Sequence, residues 1–323
     1  MKKPVHTPGS AQRGTALLLA MVILTLIATL SAAMIAQQQR AIAVEAAERA
    51  RAQAAWVLVG ALDWARLLLR EDARSGNVDD LGEPWAVPLA EARLSTFLAA
   101  DRSAPEEDEG PEAFLSGRVR DLQARYNLYN LLDEEAKLVP DELAVLQRLC
   151  VILGLADDVA FRIGQGMAAA AREDDENAPL MPMRLSQLSW LGLDPATIER
   201  LRPYVAVLPA ATPVNVNTAE REVLAAAITG LDLGGAERLV QRRQRAPFKS
   251  VDEALKLLPE GLPDLPTGRL SVGSSYFEVI GRLRLDERVF EEYSVVERRA
   301  ANRGGTIVAI QRERRSVTPE ALQ

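Results

Sequence analysis

From Thr15 to Ala36, twenty-two consecutive residues carry no charge, no proline and no glycine. At about 1.5 Å per residue this run reaches roughly 30 Å as a helix, the thickness of a bilayer's hydrocarbon core. A polar leader with Lys2, Lys3 and Arg13 precedes it, so the positive-inside bias holds the N-terminus in the cytoplasm and sends everything after Ala36 across. A cleavable secretory signal would have a shorter apolar core ending in small residues. Ser31-Ala32-Ala33 resembles such an end, but the run flows on into more helix-forming sequence. Between Thr15 and Val59 there is neither glycine nor proline, and Ala, Leu, Gln, Glu and Arg, all good helix formers, dominate. One continuous helix is expected from Thr15 to about Asp72, on the order of 80–90 Å long.

The remaining chain is globular in composition: of 323 residues, 48% are hydrophobic and 26% charged. A net charge of −7 offers nothing to a phosphate backbone. The only histidine is His6, in the leader, which removes His-based general-base chemistry and His-ligated zinc from the main domain. The only cysteine, Cys150, sits in the apolar run Leu149–Leu153 and reads as a small buried hydrophobe.

Past the apolar run, Val57, Leu58, Ala61, Leu62, Ala65, Leu68 and Leu69 repeat at helical spacing, the stripe of a helix packed on one face against a sheet. Gly76 and Asn77 end it, Asp79–Pro88 reads as loop, Glu91–Ala100 as a short helix, and Pro105–Pro111 as an exposed acidic loop. Gly117–Leu132 reads as a first strand pair or a strand plus turn, with Val119, Leu122 and Tyr126 inward. Seven helices without strand signals follow: Asp141–Leu153, Ala156–Ala171, Arg184–Leu191, Pro195–Tyr204, Ala219–Ile228, Gly234–Gln244 and Val251–Leu258, with Asp141, Thr218 and Ser250 as N-caps. Alternation returns at Phe277–Leu285, Tyr293–Arg298 and Thr306–Ile310, with turns at Asp286-Glu287 and Asn302–Gly305, predicting an antiparallel meander.

Within the helical block, a shift of 76 residues aligns Ile152-Leu153-Gly154-Leu155 with Ile228-Thr229-Gly230-Leu231, Ala160 with Ala236, Arg162 with Arg238 and Gln165 with Gln241. Each copy reads helix, glycine turn, helix, the outline of a helix-hairpin-helix. Such units often bind DNA phosphates, and Arg242, Arg243 and Arg245 lie nearby. The turn Gly230–Gly234 carries an extra residue and an acid, Asp232, so a structural role is expected and nucleic acid is not an expected partner.

A basic leader ending in glycine, an apolar helix starting one residue later and an amphipathic continuation resemble the type IV pilins and type II secretion pseudopilins. The resemblance implies cleavage after Gly14 by a prepilin peptidase and methylation of the new N-terminus, Thr15. A plain helix breaker before a signal anchor is the simpler reading of Gly14. Most family members carry glutamate at the fifth mature position, where its charge offsets a neighbouring α-amine; here that position is Leu19. Its absence, the size of the chain, Asn127-Leu128-Tyr129-Asn130-Leu131 and Asn215-Val216-Asn217-Thr218-Ala219 resemble the K-type minor pseudopilin. The implied fold is α+β: a long transmembrane and amphipathic helix on an antiparallel, pilin-like sheet, with an inserted all-α, SAM-like domain. The expected divisions are leader 1–14, membrane helix 15–36, first pilin-like part 37–138, helical insert 139–270, C-terminal strands 271–315 and tail 316–323. The resemblance further implies a non-enzymatic subunit in the bacterial inner membrane, its main domain periplasmic, with I-type and J-type minor pseudopilins, the major pseudopilin and the prepilin peptidase as partners. K-type chains commonly bind calcium through D-W-x-D-x-D and a later G-A-E-D. At that place this chain has Arg162–Gly166, alanines and Glu173–Asn177. Without the W-x-D core no cofactor is expected, and Asp174, Asp175 and Glu176 read as exposed acids rather than a calcium site.

Overall fold

The structure is a computed structural model and describes residues 11–95, 112–172, 178–259, 262–263, 266, 268–286, 288–299 and 305–317. The expectations placed on Lys2, Lys3, His6, Pro105–Pro111, Glu173–Asn177 and 302–304 fall outside these residues. The chain divides into two units, Met1–Trp56 and Val57–Gln323.

Helix α1 covers Ala11–Ser75. It starts before Gly14, so the glycine lies inside the helix and does not break it. In the first unit Leu17, Leu18, Leu24 and Ile27 expose more than half of their surface, and the helix is long and apolar enough to cross a membrane. It ends one residue before Gly76, with Arg74 in its last turn to complement the helix dipole.

In the second unit, the stripe expected on α1 is the buried one. Leu62, Ala65 and Leu69 share a core with Trp85, Val119, Phe277, Val279, Val296 and Ile307. Trp85 meets the Phe277 ring edge-on at 5.2 Å. Arg66 caps this packing by donating from Nε and Nη2 to the Ile307 carbonyl at 2.9 and 2.7 Å. The sheet contains β1 (Leu89–Arg93), β2 (Ala113–Asp121), β7 (Tyr276–Leu285), β8 (Arg288–Arg299) and β9 (Thr306–Val317), in that spatial order and antiparallel throughout. Glu91–Arg93, expected to open a helix, instead belong to β1. Leu89 and Ala92 pair with Gly117 and Leu115, two residues apart on β2, so a bulge between them brings both to one face, and that pairing overrides local helix propensity.

β2 and β7 are neighbours paired over nine residues, from Ala113↔Leu285 to Asp121↔Phe277. The chain leaves the sheet at Asp121 and returns at Tyr276, so everything between is an insertion. It holds β3 (Tyr126–Asn127), α2 (Pro140–Ile152), α3 (Val159–Ala170), α4 (Pro195–Leu201), β4 (Val205–Ala206), β5 (Val214–Asn215), α5 (Arg221–Ala227), α6 (Leu233–Arg245), α7 (Val251–Leu255) and β6 (Leu270–Ser271). Leu185–Leu191 is a 3-10 helix. The insert is therefore not free of strands. β3 pairs with β4 and β5 with β6, each in parallel. Two-residue strands of this kind are too short to show alternation, which is why β4, β5 and β6 carry no strand signal in the sequence, while β3 falls within the stretch Gly117–Leu132 read as strand pair or strand plus turn.

The repeat is real in space. α2–α3 and α5–α6 each turn through a left-handed glycine, Gly154 (φ 63°) and Gly230 (φ 83°), a conformation that a Cβ disfavours. Ala160 and Ala236 are both fully buried. Arg148 joins the copies, its Nε donating to the Ala226 carbonyl at 2.9 Å. Cys150 is buried as expected, and burial pushes its thiol up to about 11. Of the three expected caps, Ser250 accepts from the Glu253 amide. Asp141 lies in the first turn behind Pro140, and Thr218 precedes the cap position taken by Glu220.

Leu69, wholly buried between α1 and the sheet, sets a test of this packing. Leu69→Ala should cost about 2–5 kcal/mol, whereas Leu67→Ala on the exposed face should stay within about 0.5 kcal/mol. Thermal unfolding of the detergent-solubilised chain measures both.

Candidate functional site

Gly14, Thr15 and Leu19, singled out in the sequence, occupy consecutive turns of α1. Gly14 has open space where a Cβ would stand, with nothing within 4 Å. Thr15 follows it, and Leu19 is one helical turn further on, 62% exposed. None of the residues from Thr15 to Ala36 has an ionisable side chain, so this segment carries no carboxylate.

A second site, which the sequence shows only in part, is a polar joint where α1, the sheet and the insert meet. Asp121, the last residue of β2, is 4% exposed. Its Oδ1 accepts from the Gln123 amide at 2.8 Å. Its Oδ2 accepts from Thr218 Oγ1 at 2.5 Å, Ser274 Oγ at 2.6 Å and Asn215 Nδ2 at 3.1 Å. All four partners donate, so they favour the ionised carboxylate. Burial nevertheless leaves its pKa above the ordinary carboxylate range. Asn215 also donates to the Asp79 carbonyl at 3.0 Å, and the Ser274 amide donates to Asp79 Oδ2 at 2.7 Å. Thr218 thus serves the joint in place of a helix cap.

The asparagine motifs act as backbone substitutes. Asn127 Nδ2 donates to the Ala210 carbonyl at 2.7 Å while its Oδ1 accepts from the Leu208 amide at 3.1 Å. Asn130 exchanges both bonds with the backbone of Thr212 at 2.9 Å. Asn217 does the same with Phe248, at 3.0 and 2.8 Å. Tyr129 between the first pair leaves this arrangement intact. Arg243 turns inward: its Nη1 donates to the carbonyls of Val216 at 2.7 Å and Ala219 at 2.6 Å. Burial pulls it down to about 10.

Asp72, Asp79 and Glu83 bring carboxylate oxygens within 4.8 Å of one another. Arg298 occupies the same space, donating from Nη1 to Asp79 and from Nη2 to Asp72, each at 2.8 Å, with its plane 4.7 Å over the Phe277 ring. The Arg298 guanidinium fills that space and offsets part of the trio's charge, and three convergent ligand atoms fall short of the six to eight oxygens calcium takes. Asp72 and Asp79 form an ion-pair lock with Arg298. Burial, then Glu83, push Asp72 up to about 7.

An apolar helix suited to a bilayer, a helix-on-sheet domain and a helical unit inserted between adjacent strands define a pseudopilin of the enlarged, minor class. Two family models described as type II secretion system protein K match residues 124–210 and 214–273, nearly the whole insert. Type II secretion system protein K of Pseudomonas aeruginosa is 31% identical over 305 residues, covering 86% of each chain. That of Pectobacterium carotovorum is 27% identical, covering 89% of this chain and 93% of its own. In fold, the chain resembles a chain of the GspK-GspI-GspJ complex from the enterotoxigenic Escherichia coli type 2 secretion system, with a TM-score of 0.64, 20% identity and coverage of 83% and 98%. The chain belongs to the type II secretion system protein K family and is a minor pseudopilin of that system.

Two outcomes follow from the joint. Asp121→Ala strands three side-chain donors and one amide in the interior, and should cost about 3–5 kcal/mol in thermal unfolding, against less than about 0.5 kcal/mol for a substitution at an exposed, unconstrained position such as Asp157→Ala. Asp72, raised from 3.8 to about 7 in the folded chain, binds a proton more tightly folded than unfolded. Its contribution to stability is complete below about pH 4 and is lost as pH rises through 7. The unfolding temperature should therefore fall between pH 5 and pH 8, and Asp72→Asn should flatten that fall.

Proposed function

We propose that the chain is the tip subunit of the type II secretion pseudopilus, assembling with other minor pseudopilins to initiate or cap the filament used for export. The observation that carries this reading is Leu19 in an uncharged helix. A subunit repeated along a shaft must neutralise each buried α-amine, because an unpaired ammonium in an apolar surround is costly. A subunit placed once, at an end, has no such neighbour to serve. The inserted helical unit adds bulk that a further subunit stacked above would have to clear. The chain's fold relative comes from a complex with GspI and GspJ, which supports I-type and J-type partners here.

On this reading α1 anchors the chain in the inner membrane with the N-terminus cytoplasmic and the second unit periplasmic. A prepilin peptidase cuts after Gly14, and Thr15 becomes the methylated N-terminus. The role is assembly and not catalysis, with no cofactor required.

The N-terminal sequence and mass of membrane-extracted protein, with and without an active prepilin peptidase, test the pathway. N-methylated Thr15 that depends on the peptidase is expected. An intact Met1, or a cut near Ala33, would overturn it. Placement is tested separately by Leu19→Glu: copy number per pseudopilus should stay unchanged, and incorporation all along the filament would sink the tip assignment.

A further inference from the structure

The face of the sheet turned away from α1 does not lie open. The insert folds back over it, leaving a cleft of about 430 Å³. The sheet supplies one wall: Arg118 and Arg120 from β2, Glu278 from β7, Tyr293 from β8, and Glu313 and Arg315 from β9. The insert supplies the other, with Arg184, Glu199 and Arg202, and Arg125 closes one end. Between them lies an apolar floor of Leu122, Leu208, Ile280 and Val295.

The charge balance of this cleft opposes that of the chain. Six arginines face three glutamates, a surplus of three positive charges on a protein whose net charge is −7. Each glutamate is already engaged. Glu278 lies 3.8 Å from Arg120 and 3.6 Å from Arg125. Glu313 lies 3.0 Å from Arg184 and 2.7 Å from Arg315, and Glu199 lies 2.6 Å from Arg202. Arg118 has no ion-pair partner among the described residues. Burial first, and then the neighbouring charge of Arg118, lower the pKa of Arg120 against the opposing pull of Glu278. A cleft with walls of one sign over a low-dielectric floor focuses that field on whatever enters.

We propose that this cleft is a binding site for an extended acidic segment of a partner polypeptide. Three features favour that occupant over a small anion. From β2 to β9 the cleft crosses three strand spacings, about 14 Å, which is the length of roughly four residues of extended chain. Arginines stand on both walls, and an extended segment projects successive side chains to opposite sides, so consecutive acids meet cations on each. The apolar floor suits a peptide backbone and aliphatic stems better than a hydrated inorganic ion.

The test is fluorescence anisotropy of tetramethylrhodamine-labelled hexaglutamate with the full chain in non-ionic detergent, at about 50 mM salt, where screening is modest. Binding is expected, and labelled hexalysine should not bind. Arg118→Glu with Arg120→Glu should weaken binding at least about tenfold, whereas Arg238→Glu with Arg245→Glu, an equal charge change at exposed positions of α6, should alter it by less than about twofold. Arg118→Gln alone, which cannot disturb the fold by placing an acid beside Glu278, should weaken it about threefold. Equal binding by the double variant and the parent chain would overturn the proposal. So would displacement of the peptide by inorganic phosphate at matched charge, which would mark a plain anion site.

Discussion

One buried carboxylate holds together the three parts of the second unit. Asp121 sits where the chain leaves β2, and its acceptors are filled from the insert by Asn215 and Thr218 and from the returning chain by Ser274. Asp79, just past the end of α1, reaches the same centre through the Ser274 amide and Asn215. Burying an ion costs several kcal/mol before any compensation, and here four donors supply it. An apolar plug could fill the volume, but it would not specify which strand end meets which segment. The carboxylate accepts only one arrangement of donors, so it fixes the register of the connection as well as its existence.

This explains how so large an insertion is tolerated. β2 and β7 stay paired along nine residues, so the sheet loses no hydrogen bonds to the excursion. The insert has its own core, built from Leu128, Leu131, Leu146, Leu149, Ile163, Met167 and Phe248 among others. What remains to be supplied is orientation. Loop closure over such a length costs little more than over a short one, so the burden falls on the joint and on ion pairs between insert and sheet such as Arg184–Glu313.

Much of this was legible in the sequence where periodicity is long. The uncharged run, the stripe Leu58–Leu69, the helical hairpins and the meander Tyr276–Val317 each repeat a pattern over several turns or strand residues. The asparagines were legible as a motif but not as a mechanism. Asn127, Asn130 and Asn217 replace missing backbone partners across 31 to more than 80 residues of chain, and no local signal reveals which backbone they serve. Asp79 and Ser274 lie in stretches that read as loop and strand entry, so nothing local marks them as partners of Asp121. The strands β4 to β6 were missed for the opposite reason, being too short for alternation to repeat. Glu91–Arg93 misled because the pairing partner that makes them a strand, β2, lies about twenty residues further along the chain.

The same sheet is used differently on its two faces, and the difference is in the side chains rather than the backbone. Toward α1 it presents Phe277, Val279 and Val296, which demand close packing. On the other face it presents Arg118, Arg120, Glu278, Tyr293 and Arg315 around a thin apolar floor. Complete burial of that second face under the insert would strand several charges, at a cost few ion pairs repay. The insert therefore closes over only part of it, through Leu122, Ala206 and Leu208 against Tyr276 and Val295, held at its root by Asp121 and at its far side by Arg184–Glu313. A cleft is the expected consequence of docking a helical unit onto a charged sheet face: the charges that prevent full closure are the ones left to meet an incoming acid.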